Sequence, residues 1–171
     1  MNAPRPVPAF DWIGHHAGLR PDATALIDDG RDLVLSYADL EDRSRRLAAW
    51  LAAGGVGTGD RVAFLAGNTT DVFEALFACA KLTAVLVPLN WRLAVPELQF
   101  IIGDCRPRVL IHEDGFAAAA AELDVPVKLR LGDEYEEAMA ASDPDAVGPV
   151  TAIHDDPWAI MYTSGTTGYP K

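Results

Sequence analysis

The sequence predicts an α/β fold: a doubly wound, mostly parallel sheet flanked by helices and entered through an N-terminal antiparallel hairpin. Three observations predict it. Strand-length apolar runs alternate with helix-period stretches from residue 61 to 162, which implies right-handed crossovers within one sheet. One of those runs, Thr83 to Val87, shows no polar alternation, as expected of a strand buried on both faces. Asp29-Gly30 separates two short apolar runs near the start, and Asp-Gly is a hairpin turn signal.

Taken in order, residues 1–9 carry three prolines and form an extended, poorly ordered lead-in. Phe10 to Leu19 is a short helix broken by Pro21-Asp22. The hairpin strands are Thr24 to Ile27 and Leu33 to Tyr37. From Tyr37 the period changes: Leu40, Arg43, Leu47, Trp50 and Leu51 recur at helical spacing, and Gly54-Gly55 stops the helix. Arg61 to Leu65 is a strand, and Asn68 to Asp71 supplies N-cap candidates for a helix running to Lys81. After the Thr83 to Val87 strand comes a loop, Pro88 to Leu93, then a helix with Pro96 in its first turn that ends near Gly103-Asp104. Arg108 to Ile111 is a strand, Gly115 to Leu123 an alanine-rich helix, Val125 to Leu131 a strand and Glu134 to Ala141 a helix. Ser142 to Pro149 is a linker loop, and Trp158 to Met161 reads as a short buried strand.

Composition narrows the function. The 171 residues suit one domain with a proper core. A net charge of −11 lacks the basic face of a general nucleic-acid binder. No apolar run reaches membrane-spanning length, and the N-terminus lacks the apolar stretch of a secretory signal. Cys79 and Cys105 stand alone in apolar surroundings and read as buried free thiols. A cytoplasmic setting follows. The four histidines show no metal-ligand spacing, so no metal-binding residue is assigned. Asn90 and Arg92 read as loop-fixing residues, and Trp50 and Trp91 as packing residues.

The chemistry concentrates in residues 162–171, Tyr-Thr-Ser-Gly-Thr-Thr-Gly-Tyr-Pro-Lys. Gly165 and Gly168 let the backbone approach a ligand closely. The hydroxyls of Thr163, Ser164, Thr166 and Thr167, with successive N–H groups, make a concave anion site. Lys171 adds a point charge suited to phosphate. The spacing departs from the Walker loop, which places lysine directly after its second glycine. A plain Gly/Ser/Thr surface turn shares the composition but not the preceding strand or the motif's specificity.

These residues resemble the phosphate loop of the adenylate-forming (AMP-binding) superfamily. Its pattern, Thr-Ser-Gly-Thr-Thr-Gly-x-Pro-Lys, is matched at Thr163, Ser164, Gly165, Thr166, Thr167, Gly168, Pro170 and Lys171. Other segments resemble acyl-CoA synthetases in the same order: Ser36 to Leu40, Gly59 to Ala63, Phe77 to Lys81, Val87 to Arg92 and Glu97 to Asp104. The resemblance runs from about residue 10 onward, and the Pro-Leu-Asn-x-Arg form leans towards fatty-acyl or aromatic-acyl-CoA ligases. It implies a ligase that joins a small-molecule carboxylic acid to ATP and then to coenzyme A, with Mg²⁺ on the phosphates. Residues 10–171 would be the N-terminal portion of the AMP-binding domain. The acyl pocket, the magnesium-binding glutamate, the catalytic lysine and the C-terminal domain would lie downstream. No catalytic residue is therefore expected within the chain, and residues 1–171 alone are expected to be inactive. Two alternatives stay open: another adenylating enzyme, luciferase-like or from a peptide synthetase, and a non-catalytic flavodoxin-like binding module.

Overall fold

A computed structural model describes residues 11–153 and 155–163. The proline-rich lead-in and residues 164–171 lie outside them. Among the described residues, fourteen segments of regular structure follow the predicted alternation. They are α1 (Trp12–Leu19), β1 (Thr24–Asp28), β2 (Leu33–Ser36), α2 (Tyr37–Ala53), β3 (Arg61–Leu65), α3 (Asp71–Lys81), β4 (Val85–Pro88), α4 (Val95–Cys105), β5 (Val109–His112), α5 (Ala117–Ala121), β6 (Val127–Arg130) and α6 (Asp133–Ala140), with 3-10 turns at Asp114–Phe116 and Pro144–Ala146.

β1 and β2 form the predicted antiparallel hairpin. The other four strands form a parallel sheet in the order β4-β3-β5-β6. Successive residues of one strand point to opposite faces, and here both faces are covered. Val62 and Phe64 of β3 join a cluster with Leu47, Leu51, Ala75 and Met139, under α2, α3 and α6. Ala63 and Leu65 join another with Leu98, Ile101 and Leu123, on the α4 and α5 side. That double burial is why β3, β4 and β5 carry no polar alternation.

Several local expectations need correction. β4 begins at Val85 rather than Thr83 because Thr83 sits in the left-handed region, φ 54°. Ala84 N–H still bonds the Cys79 carbonyl at 2.9 Å, so the turn after α3 extends into the predicted strand. The alanine-rich helix is only Ala117–Ala121, preceded by the 3-10 turn, and β6 is shorter than predicted at both ends. The linker contains the turn Pro144–Ala146, strapped to α2 where Arg46 and Arg45 donate to the carbonyls of Ser142 (2.9 Å) and Val147 (2.9 Å). Residues Trp158 to Met161 do not form a buried strand. They make one parallel bridge, Ala159 beside Leu86, and Met161 is 73% exposed. Among the described residues, β4 is the sheet neighbour of this stretch.

The predicted capping by Asn68 to Asp71 also differs. Thr70 occupies the cap position of α3 in helical conformation and makes no side-chain cap bond. The hairpin takes these groups instead: Arg31 Nη1 pairs with Asp71 at 2.9 Å, and its Nη2 donates to the Thr70 hydroxyl. A residue forty positions upstream thereby holds the hairpin against the start of α3.

Candidate phosphate-binding edge

Parallel sheets present ligand sites beyond the carboxyl ends of their strands, and the described chain runs towards that edge as it approaches Thr163. The Ala159–Leu86 bridge rests on two backbone bonds: Leu86 N–H to the Trp158 carbonyl, 3.0 Å, and Ile160 N–H to the Leu86 carbonyl, 2.9 Å. Because the pairing is parallel, the chain after Ile160 leaves the sheet in the same direction as β4. Thr163, the first predicted phosphate-loop residue, lies exposed just beyond. Ser164, Gly165, Thr166, Thr167, Gly168 and Lys171 lie outside the described residues.

The segments that follow β3 and β4 line a cleft of about 640 Å³ at this edge, walled by Phe64, Val72 and Phe73 and rimmed by Asn68, Trp91 and Arg92. Asn90 Oδ1 accepts from Arg92 N–H at 3.1 Å, the loop-fixing role expected for it. The Arg92 guanidinium stacks 4.2 Å from the Trp91 ring centroid, a cation–π contact. Trp91 also sits 6.0 Å from the Phe116 ring, yet remains 40% exposed and lines the cleft rather than packing into the core. The turn after β3 is held by Glu113, whose Oε2 accepts from Gly67 N–H at 2.9 Å.

Sequence reading missed one contact that bears on the loop. Tyr162 packs against the cluster containing Leu98, Ile101, Ile102 and Cys105, and its hydroxyl donates to Asp104 Oδ2 in the last turn of α4. Burial, followed by the hydrogen bond to Asp104, pushes the phenol well above its usual pKa, so it is a neutral donor at pH 7. Burial likewise pushes the Cys105 thiol up. A tyrosine ahead of a glycine-rich loop was the available signal, but its partner stands 58 residues away.

Away from this edge, Glu74 is fully buried and accepts from Arg43 Nε at 2.7 Å and the Tyr135 hydroxyl at 2.8 Å. Burial pushes its carboxyl up, against the pull of Arg43 and Tyr135. Arg43 also holds Glu136 at 2.6 Å, so α2, α3 and α6 meet at one charge cluster. Among the described residues, no group of three His, Cys, Asp or Glu gathers as a metal site. No helix among them is long and apolar enough to cross a membrane.

Comparison with known proteins agrees with this architecture. The family described as AMP-binding enzyme matches residues 13–171. The indoleacetate–CoA ligase of Aromatoleum aromaticum is 42% identical over 179 residues, an alignment covering 94% of this chain and 33% of that protein. A feruloyl-CoA synthase from an Amycolatopsis species is 43% identical over 160 residues, covering 94% of this chain and 31% of the synthase. The inhibitor-bound N-terminal domain of FACL13 from Mycobacterium tuberculosis superposes with a TM-score of 0.84 at 32% identity, covering 94% of this chain and 42% of that one. The chain spans about a third of the length of the curated relatives it matches. On its sequence and its fold alike, the chain belongs to the AMP-binding enzyme family.

Proposed function

We propose that this chain supplies the ATP-phosphate-binding part of an AMP-forming acid–thiol ligase. In that reaction a carboxylate attacks the α-phosphate of ATP and pyrophosphate leaves. The thiol of coenzyme A then attacks the acyl carbon, and AMP departs as the thioester forms. The observation that carries the reading is the parallel bridge of Ala159 to Leu86, which directs the chain beyond Ile160 towards the edge where such sheets bind ligands.

The obstacle in the first step is charge, since an anion must approach a polyanion. The hydroxyls of Thr163, Ser164, Thr166 and Thr167, the loop amides and Lys171 hold the β- and γ-phosphates. Gly165 and Gly168 allow the backbone close enough for its amides to take part. This donor set, hydroxyls and an ammonium with no carboxylate among them, fits a polyphosphate. Mg²⁺, when bound with the nucleotide, neutralises phosphate charge that these groups leave uncompensated. The loop's contribution is positioning and electrostatic stabilisation.

The substrate is a carboxylic acid of the aryl or fatty-acyl kind. Relatives named for indoleacetate and ferulate, both above 40% identity, favour the aromatic class. Two buried free thiols and the acidic composition suit a cytoplasmic enzyme. The test is to express the complete reading frame that encodes residues 1–171 and supply ATP, Mg²⁺, coenzyme A and a panel of aromatic and aliphatic acids. AMP, pyrophosphate and an acyl-CoA should appear in equal amounts. Formation of ADP, or turnover indifferent to the acid, would overturn the assignment.

A further inference from the structure

We infer that Tyr162 and Asp104 form a positioning pair that sets where the phosphate-binding residues begin; the inference rests on the function proposed above. Two backbone bonds through Leu86 hold the last stretch to the sheet, the later of them at Ile160. Beyond that point the Tyr162 side chain anchors the stretch. The Tyr162 ring lies in the apolar cluster on the α4 side of the sheet, and its hydroxyl donates to Asp104. Thr163, the first hydroxyl assigned to phosphate, is the adjacent residue. A Tyr162 held at both ring and hydroxyl holds the point of the chain to which Thr163 is joined.

Asp104 supports this reading from its own side. It occupies the last turn of α4, where the helix dipole disfavours a carboxylate. A hydroxyl donor offsets that cost, and the resulting charge-assisted bond is stronger than a neutral one. The helix bearing Asp104 is itself held in place. Arg61, at the start of β3, donates to the Cys105 carbonyl at 2.6 Å and the Arg106 carbonyl at 3.1 Å. Leu98, Ile101 and Ile102 of α4 are buried in the cluster against which the Tyr162 ring packs. The pair therefore ties the phosphate-binding segment to a rigid helix rather than to another loop. The role inferred for both residues is positional, exerted through the backbone that leads into Thr163.

The experiment uses the complete reading frame and measures KM for ATP, KM for the carboxylate, kcat and the thermal midpoint. Tyr162→Phe and Asp104→Ala should each raise KM for ATP by roughly threefold to tenfold, the factor one net hydrogen bond carries. KM for the carboxylate should stay unchanged. The double variant should be no worse than the weaker single, because both remove the same bond. Asp104→Asn keeps a carbonyl acceptor and should remain within about twofold of the unsubstituted protein. If Asp104→Ala does not fold, Tyr162→Phe decides alone, since it keeps the ring and its packing. An unmoved KM for ATP, equal rises for both substrates, or effects that add in the double variant would overturn the pair. Absence of acid-dependent turnover in the unsubstituted protein would overturn the proposed function and this inference together. Normal turnover with unaffected variants would overturn the inference alone.

Discussion

Thr83 shows at the level of one residue how a local signal misleads. A β-branched residue opening an apolar run reads as a strand start, yet its backbone is left-handed, and its buried hydroxyl has no hydrogen-bond partner among the described residues. A left-handed conformation costs an L-residue about 1–2 kcal/mol, and the unpaired hydroxyl adds to that. Glycine accepts the same backbone with only an entropic penalty. Thr83→Gly should therefore raise stability by about 1 kcal/mol, read as a higher urea midpoint with unchanged slope. The phosphate-binding role proposed for residues 163–171 rests on the opposite kind of signal, a local spacing in which each residue type has its own reason to be there. The Glu74 cluster gave no such signal, because its partners Arg43 and Tyr135 lie 31 and 61 residues away.

Among elements, α2 begins with a capping box that the sequence spells within four residues. The Ser36 hydroxyl accepts from Asp39 N–H at 3.1 Å, and Asp39 accepts from Ser36 N–H at 2.9 Å. Ser36→Ala should cost about 1 kcal/mol of unfolding free energy. The bonds from Ser36 hold the Asp39 carboxyl below its usual value of 3.8. Its stabilisation is thus full above that value and disappears as pH falls through the lower folded value. Asp39→Asn should weaken the protein at pH 7 and show a smaller further loss on acidification, as urea unfolding at pH 7 and pH 3 would reveal. The start of α3 was less legible. Its sequence offered Asn, Thr and Asp as caps, but Arg31 of the hairpin competes for Thr70 and Asp71. The Trp158 to Met161 run gave the correct location and direction, yet strand pairing needs neighbours, and one bridge is what β4 provides.

For the whole molecule, the fold was legible because burial on both faces removes polar alternation from β3, β4 and β5, and because helical periods separate them. Strand order is a different matter: β3 lying between β4 and β5 follows from crossover geometry and packing rather than from any residue pattern. That order leaves β4 beside the bridge at Ala159, so the chain leaving Ile160 runs towards the same carboxyl edge of the sheet that carries the cleft after β3 and β4. The decisive measurement is the exchange of labelled pyrophosphate into ATP by the complete gene product, with and without a carboxylic acid, beside a Lys171→Met variant. Acid-dependent exchange that needs no coenzyme A, falling by at least about tenfold in the variant, is the predicted result. Exchange that ignores the acid, or that survives loss of Lys171 undiminished, would contradict a phosphate-binding role for residues 163–171.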